Sequence, residues 1–185
     1  MTKKKALLVV YCRNDYVPNA KREYDKLIAS ATNACRLMED ARARHDTIVH
    51  IEHVFKKEGQ PFCIEGTIGT EINEIACPQK GEPIVIRYDS NIFLNNNLKE
   101  ILDENGVKEI VICGSMTKSC VMAAAHATVE LGYPITVIYD ACCAVEYSAH
   151  DSECKVDVVE RAVFASLTFV HGYVESTDEY LATNV

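Results

Sequence analysis

The sequence predicts an α/β protein: a doubly wound, mostly parallel sheet of six strands with helices on both faces. Two observations carry this expectation. Continuous apolar runs of strand length alternate with stretches of helical length, as in sheets whose strands are buried on both faces and joined by crossover helices. The 185 residues are 48% hydrophobic and 25% charged, the make-up of an ordinary globular domain large enough to bury a core.

Taken in order, the first strand is Ala6–Tyr11 (ALLVVY), and a long helix follows at about Lys21–Arg44. A second strand spans Thr47–Phe55. The stretch Lys56–Glu82 is rich in Gly and Pro and shows no period, so it reads as a surface excursion that can form a pocket wall. Ile84–Arg87 is the third strand, and the helix Asn96–Asn105 stops at Asn105-Gly106. Glu109–Cys113 is the fourth strand, and the helix Ser119–Leu131 ends at Gly132-Tyr133-Pro134. Ile135–Tyr139 is the fifth strand, Ala149–Ala165 a helix, Leu167–Val170 the sixth and least marked strand, and a last turn begins near Thr177. With no internal repeat, low-complexity tract or linker, residues 1–185 are expected to form one domain.

Charge and composition narrow the function classes. A net charge of −8 and a pI near 5.2 disfavour nucleic acid and anionic membranes as partners. The basic start Lys3-Lys4-Lys5 is not a signal peptide, because the apolar run behind it is short and is followed at once by Arg13, Asn14 and Asp15. No stretch approaches the ~18 apolar residues of a membrane span. The nine cysteines are odd in number and contain no C-x-x-C, and most sit inside apolar patterns. They read as reduced thiols of a cytoplasmic protein.

The most informative segment is residues 109–133, EIVICGSMTKSCVMAAAHATVELGY, which reads as buried strand, short turn, cysteine and helix. That pattern puts Cys120 at a helix N-terminus, where free backbone N–H groups and the positive end of the helix dipole favour a thiolate. The alternative is a small apolar residue covered by the helix. In sheets of this kind ligands bind beyond the carboxyl ends of the strands, where strand order reverses. Three segments converge there: Tyr11–Tyr16, Arg87–Phe93 and Gly114–Cys120.

ALLVVYCRNDYV, EGTIGTEI, IVIRYDSNIF and GSMTKSCV, in that order and spacing, resemble the isochorismatase-like cysteine hydrolases, a group with nicotinamidases, N-carbamoyl amide hydrolases and isochorismatases. The resemblance implies a six-stranded parallel sheet carrying an Asp–Lys–Cys triad. Cys120 matches the nucleophile, and Gly114, Thr117 and Val121 its frame. A cis peptide is implied at Ser115–Met116, with the Met116 and Cys120 N–H groups as oxyanion donors. The pocket residues it suggests are Tyr16, Tyr88, Phe93 and Ser119, of which Tyr88 and Phe93 could equally be packing. A small-molecule substrate, no cofactor and a homo-oligomer are expected on the same ground.

Two triad positions depart from the family pattern. Tyr11 stands where the aspartate is expected, and Arg87 where the lysine is. A phenol with a reference pKa near ~10 keeps its proton at neutral pH, so Tyr11 cannot take one from a thiol as a carboxylate can. Arg87 keeps its charge and either pairs with Asp89 or Asp15, or helps the helix N-terminus hold Cys120 as a preformed thiolate while Tyr11 protonates a leaving group. Asp15 lies past the strand end, a position that is mainly structural in the family.

No metal is expected. In His50-Ile51-Glu52-His53, Ile51 takes the place of the aspartate used by metal-binding relatives, and His50 and His53 point to opposite faces of a strand. Glu52 shares a face with His50, which makes only two ligands. His126 lies nearly two turns beyond Cys120 and reads as a partly buried helix residue, and His150 and His171 carry no motif. Cys142-Cys143 reads either as two small residues in a tight turn or as a redox-sensitive pair near the pocket rim. Three functions compete: a Cys120 thioester hydrolase of a small amide or related C–N or C–O substrate, a catalytically inactive ligand-binding or assembly module, and a thiol redox sensor.

Overall fold

The computed structural model describes residues 4–10, 21–55, 65, 74–144, 147–149, 152–170 and 172–183. The strands are β1 (Lys5–Val10), β2 (Thr47–His53), β3 (Ile84–Arg87), β4 (Glu109–Ser115), β5 (Ile135–Cys143), β6 (Tyr147–Ala149), β7 (Ser152–Cys154) and β8 (Gly172–Glu175). The helices are α1 (Lys21–Ala43), α2 (Leu98–Glu104), α3 (Met122–Glu130), α4 (Val156–Val170) and α5 (Thr177–Thr183). Six strands form one parallel sheet in the order β3-β2-β1-β4-β5-β8, and β6 and β7 form a small antiparallel hairpin beside it.

Residue alternation along the strands divides two cores. Ala6, Leu8 and Val10 of β1, with Ile110 and Ile112 of β4, face a layer containing α2, α3 and α4. Leu7 and Val9, with Val111 and Cys113, face α1 and α5. The α1 residues that meet them, Ala31, Ala34, Leu37, Met38 and Ala41, recur at three- and four-residue spacing, so one helical stripe covers that side. The chain runs outward from β1 through β2 to β3, then returns to build β4, β5 and β8 on the other side. Strand order therefore reverses between β1 and β4, and their carboxyl ends open the crevice that such a reversal leaves.

The sixth strand and the bounds of the helix before it depart from the expectation, whereas the last helix begins at Thr177 as expected. Leu167–Val170 is the last turn of α4, with Leu167 buried four residues after Val163 on the same helical face. A short apolar run is ambiguous between strand and buried helix, and here the helix wins. The sixth strand is GYVE, Gly172–Glu175, an edge strand with Tyr173 exposed and no apolar run to announce it. Ala149 belongs to the β6–β7 hairpin, so the helix predicted from Ala149 starts at Val156. Of the Lys56–Glu82 excursion, Glu74–Ala76 forms a short 3-10 turn whose Ala76 packs under α1. Among the described residues no helix is long and apolar enough to cross a membrane.

Candidate active site

The segment between β4 and α3 builds the turn that carries Cys120. The strand ends at Ser115, the Ser115–Met116 peptide is cis as the resemblance implies, and Met116 is extended. Thr117–Val121 then forms one π-helical turn that runs directly into α3. The Met116 carbonyl accepts N–H groups from Ser119 (3.2 Å), Cys120 (3.0 Å) and Val121 (3.2 Å). Three donors on one oxygen share its two lone pairs, so none makes a full bond. The Cys120 N–H, expected as an oxyanion donor, is thus engaged within the turn but only in part.

Cys120 is partly exposed, and it packs against the first core together with Met116, Phe55 and Phe93. The Ser119 hydroxyl lies 3.7 Å from its sulfur, within reach for an O–H···S hydrogen bond. Among the described residues the Ser115 hydroxyl is buried with no hydrogen-bond partner. Tyr88, the other described residue expected to line the pocket, is 38% exposed, continuing the exposed series of Ile84 and Ile86. Tyr11, Asp15 and Tyr16 lie outside the described residues, as do His150 and His171.

Arg87 ends β3 in register with His53 of β2 and is only 2% exposed. Its Nη1 donates to the main-chain carbonyl of Asp89 at 2.8 Å and to that of Ser90. The partner at Asp89 is therefore the backbone oxygen, so the guanidinium fastens the turn that carries the chain from β3 toward Phe93. His53 stacks edge-on against Phe55, ring centroids 4.2 Å apart. His50 faces the other core, where its Nε2 meets the Glu82 carboxylate at 3.0 Å. The two histidines diverge across the sheet, and among the described residues no group of three His, Cys, Asp or Glu side chains is placed to hold a metal.

The His50–Glu82 pair belongs to a structural network. Arg42 forks onto both Glu82 oxygens at 2.7 and 3.0 Å, and the Gln79 N–H adds a third donor at 2.8 Å. Burial alone would raise the Glu82 pKa, but these hydrogen bonds outweigh it and hold the carboxyl at about 2, against an ordinary 4.5. Burial lowers His50 below its ordinary 6.5, against the pull of Glu82. Both depressed values add stability that is complete above the unfolded values and lost on acidification, first as pH falls below 6.5 and then from 4.5 toward about 2. Glu82→Gln is expected to lower stability at pH 7 by up to about 3 kcal/mol, with the gap to the parent closing between pH 4.5 and 2. Urea titrations across that range test this, and a gap independent of pH would refute it.

Sequence reasoning missed Glu160. This α4 residue sits three and seven positions before the buried Val163 and Leu167, so a carboxylate on the apolar stripe was the available signal. Its Oε1 accepts the hydroxyl of the fully buried Thr117 at 3.2 Å and the Ala144 N–H at 2.9 Å, and its Oε2 meets Lys26 Nζ at 3.4 Å. Cys142 and Cys143 are buried at the end of β5, opposite Gly114 and Ser115, so they form part of a strand rather than a tight turn.

Comparison with known proteins agrees with this architecture. The Isochorismatase domain family model matches residues 5–166. The isochorismatase family protein YddQ of Bacillus subtilis (strain 168) is 33% identical over 176 residues, covering 95% of this chain and 98% of that protein. Streptothricin hydrolase of Streptomyces noursei is 28% identical over 74% of this chain and 48% of its own length. Maleamate amidohydrolase of Pseudomonas putida is 24% identical over 74% and 70% respectively. A crystal structure from Oleispira antarctica, assigned to the isochorismatase hydrolases, superposes with a TM-score of 0.89 at 30% identity over 98% of both chains. With its parallel sheet, its cysteine turn at the β1/β4 reversal and these matches along nearly its whole length, the chain belongs to the isochorismatase family.

Proposed function

We propose that the protein is a cysteine-dependent hydrolase of a small amide or related C–N or C–O substrate. The observation that carries this reading is the position of Cys120: a partly exposed sulfur in the turn that opens α3, at the reversal of strand order, with the Ser119 hydroxyl directed at it. Relatives whose names denote hydrolysis of streptothricin and of maleamate support the reaction class. In this reading the Cys120 thiolate attacks the carbonyl carbon, and the oxyanion is met by the Met116 N–H and the partly engaged Cys120 N–H. Collapse breaks the C–N bond, and the departing amine takes a proton from the Tyr11 hydroxyl. Water then attacks the thioester, returning a proton to the Tyr11 phenolate and releasing the acid and the thiolate.

Arg87 contributes charge to this end of the sheet and, through its bonds to the Asp89 and Ser90 carbonyls, the shape of the adjoining loop. Amine or ammonia release from a panel of small amides tests the proposal. Release is expected to fall to background in Cys120→Ala, and Tyr11→Phe is expected to lower kcat by about a hundredfold, the scale of a lost general acid. Release unchanged in Cys120→Ala would refute the cysteine mechanism.

The tyrosine in place of the aspartate favours a second reading, a pocket that binds a small ligand without cleaving it. The double substitution Tyr11→Asp with Arg87→Lys separates the two. Amidase activity that appears only in the double variant would assign the parent to binding.

A further inference from the structure

We propose that Glu160 is a positioning residue for Cys120, acting through Thr117. The inference rests on the hydrolase reading only for what the thiol does; the placement itself is read on the thiol without any substrate.

Within the turn, three N–H groups share the Met116 carbonyl and the Met122 N–H closes onto the Thr117 and Ser119 carbonyls. A further tie comes from outside the turn. Thr117, the first residue of the turn, is fully buried, and its hydroxyl donates to Glu160 Oε1. The same oxygen accepts the Ala144 N–H, one residue past the β5 end whose Cys142 and Cys143 pair with Gly114 and Ser115 of β4. One carboxylate oxygen therefore joins the first residue of the turn that delivers Cys120 to the end of the neighbouring strand. Lys26 of α1 meets the second oxygen, tying the carboxylate across to the other layer. With a side chain only 15% exposed and both oxygens engaged, Glu160 is held in place as an acceptor. Bonds to an ionised acceptor are stronger than neutral ones, and this one sits where a small shift moves the sulfur.

The test is the rate of Cys120 alkylation by iodoacetamide against pH, read by peptide mass spectrometry on the full chain, with melting temperatures in parallel. Glu160→Ala and Thr117→Val are each expected to change the Cys120 rate at pH 7 by about tenfold, the factor carried by one hydrogen bond to a charged group. Glu160→Gln, which keeps an oxygen for Thr117 and Ala144, and Thr117→Ser, which keeps the hydroxyl, are expected to stay within about threefold of the parent. Glu160→Ala with Thr117→Val together should do no more than Glu160→Ala alone, because Thr117→Val breaks a link that Glu160→Ala already removes. Glu82→Gln, at the opposite end of the sheet, serves as a destabilised control that leaves Cys120 labelling unchanged. The proposal is overturned if Glu160→Ala labels like the parent, if the control shifts labelling as much, or if the double variant shows the full product of the single effects. Where Glu160→Ala fails to fold, the contrast of Thr117→Val with Thr117→Ser decides. A labelling pattern as expected with no amide cleaved by the parent would sink the hydrolase reading and leave this inference standing.

Discussion

Gly114→Ala is expected to abolish folding or to cost about 4 kcal/mol or more, the range reserved for direct backbone conflict. Gly114 has φ +123°, and a Cβ placed on it would lie 1.7 Å from the Val10 carbonyl oxygen and 2.5 Å from its carbon. These are main-chain atoms of the neighbouring central strand, which no rotamer change can move. The contact arises where β4 pairs with β1 at Val10, next to the irregularity in its pairing with β5 between Ile112 and Gly114. The position therefore combines a left-handed backbone with a close approach of two central strands. Expression and thermal unfolding of Gly114→Ala check this, and a variant within about 1 kcal/mol of the parent would contradict the geometry.

Arg87→Leu is expected to cost about 3 kcal/mol, because it removes charge-assisted bonds to two carbonyls from a site that is 2% exposed. Asp89 and Ser90 would lose their shared donor, and the turn leading toward Phe93 would loosen. Arg87→Lys is expected to recover only part of that loss, since an ammonium reaches as a point charge and lacks the planar fork. Denaturant midpoints for the three proteins should rank parent, lysine, leucine. Equal midpoints for parent and Arg87→Leu would show that the guanidinium adds nothing to the loop's stability.

The parts of the fold that could be read from sequence were those where one physical signal acted alone. Ile84–Arg87 coincides with the third strand, and Gly106 and Gly132 mark the helix ends expected of them. The unread parts were those where two signals conflicted. Leu167–Val170 is apolar enough for a strand, yet it continues the helical stripe of Val163, whereas Gly172–Glu175 is an edge strand whose side chains meet little core. The site divides in the same way. Cys120 was legible from the strand-turn-helix pattern around it. Glu160 was not, because it lies 40 residues away by its number and acts through Thr117, a contact that only the folded chain creates. For Arg87 the sequence offered the carboxylates of Asp89 or Asp15; at Asp89 the fold presents the main-chain carbonyl, and Asp15 lies outside the described residues.

The cysteine turn runs in one contiguous stretch from β4 to α3, tied to α4 at Glu160, whereas Arg87 comes from β3 and position 11 follows β1. The turn that carries the sulfur and the two positions that depart from the family pattern therefore lie on separate parts of the chain. In the proposed mechanism, a replacement at position 11 or 87 would change how protons and charge are managed while the turn keeps its hydrogen bonds to Met116 and Glu160. On the proposed reading, one framework of this kind would pass between cleaving, trapping and merely holding a ligand through changes at those two positions, with the cysteine turn and its tie to Glu160 left as they are.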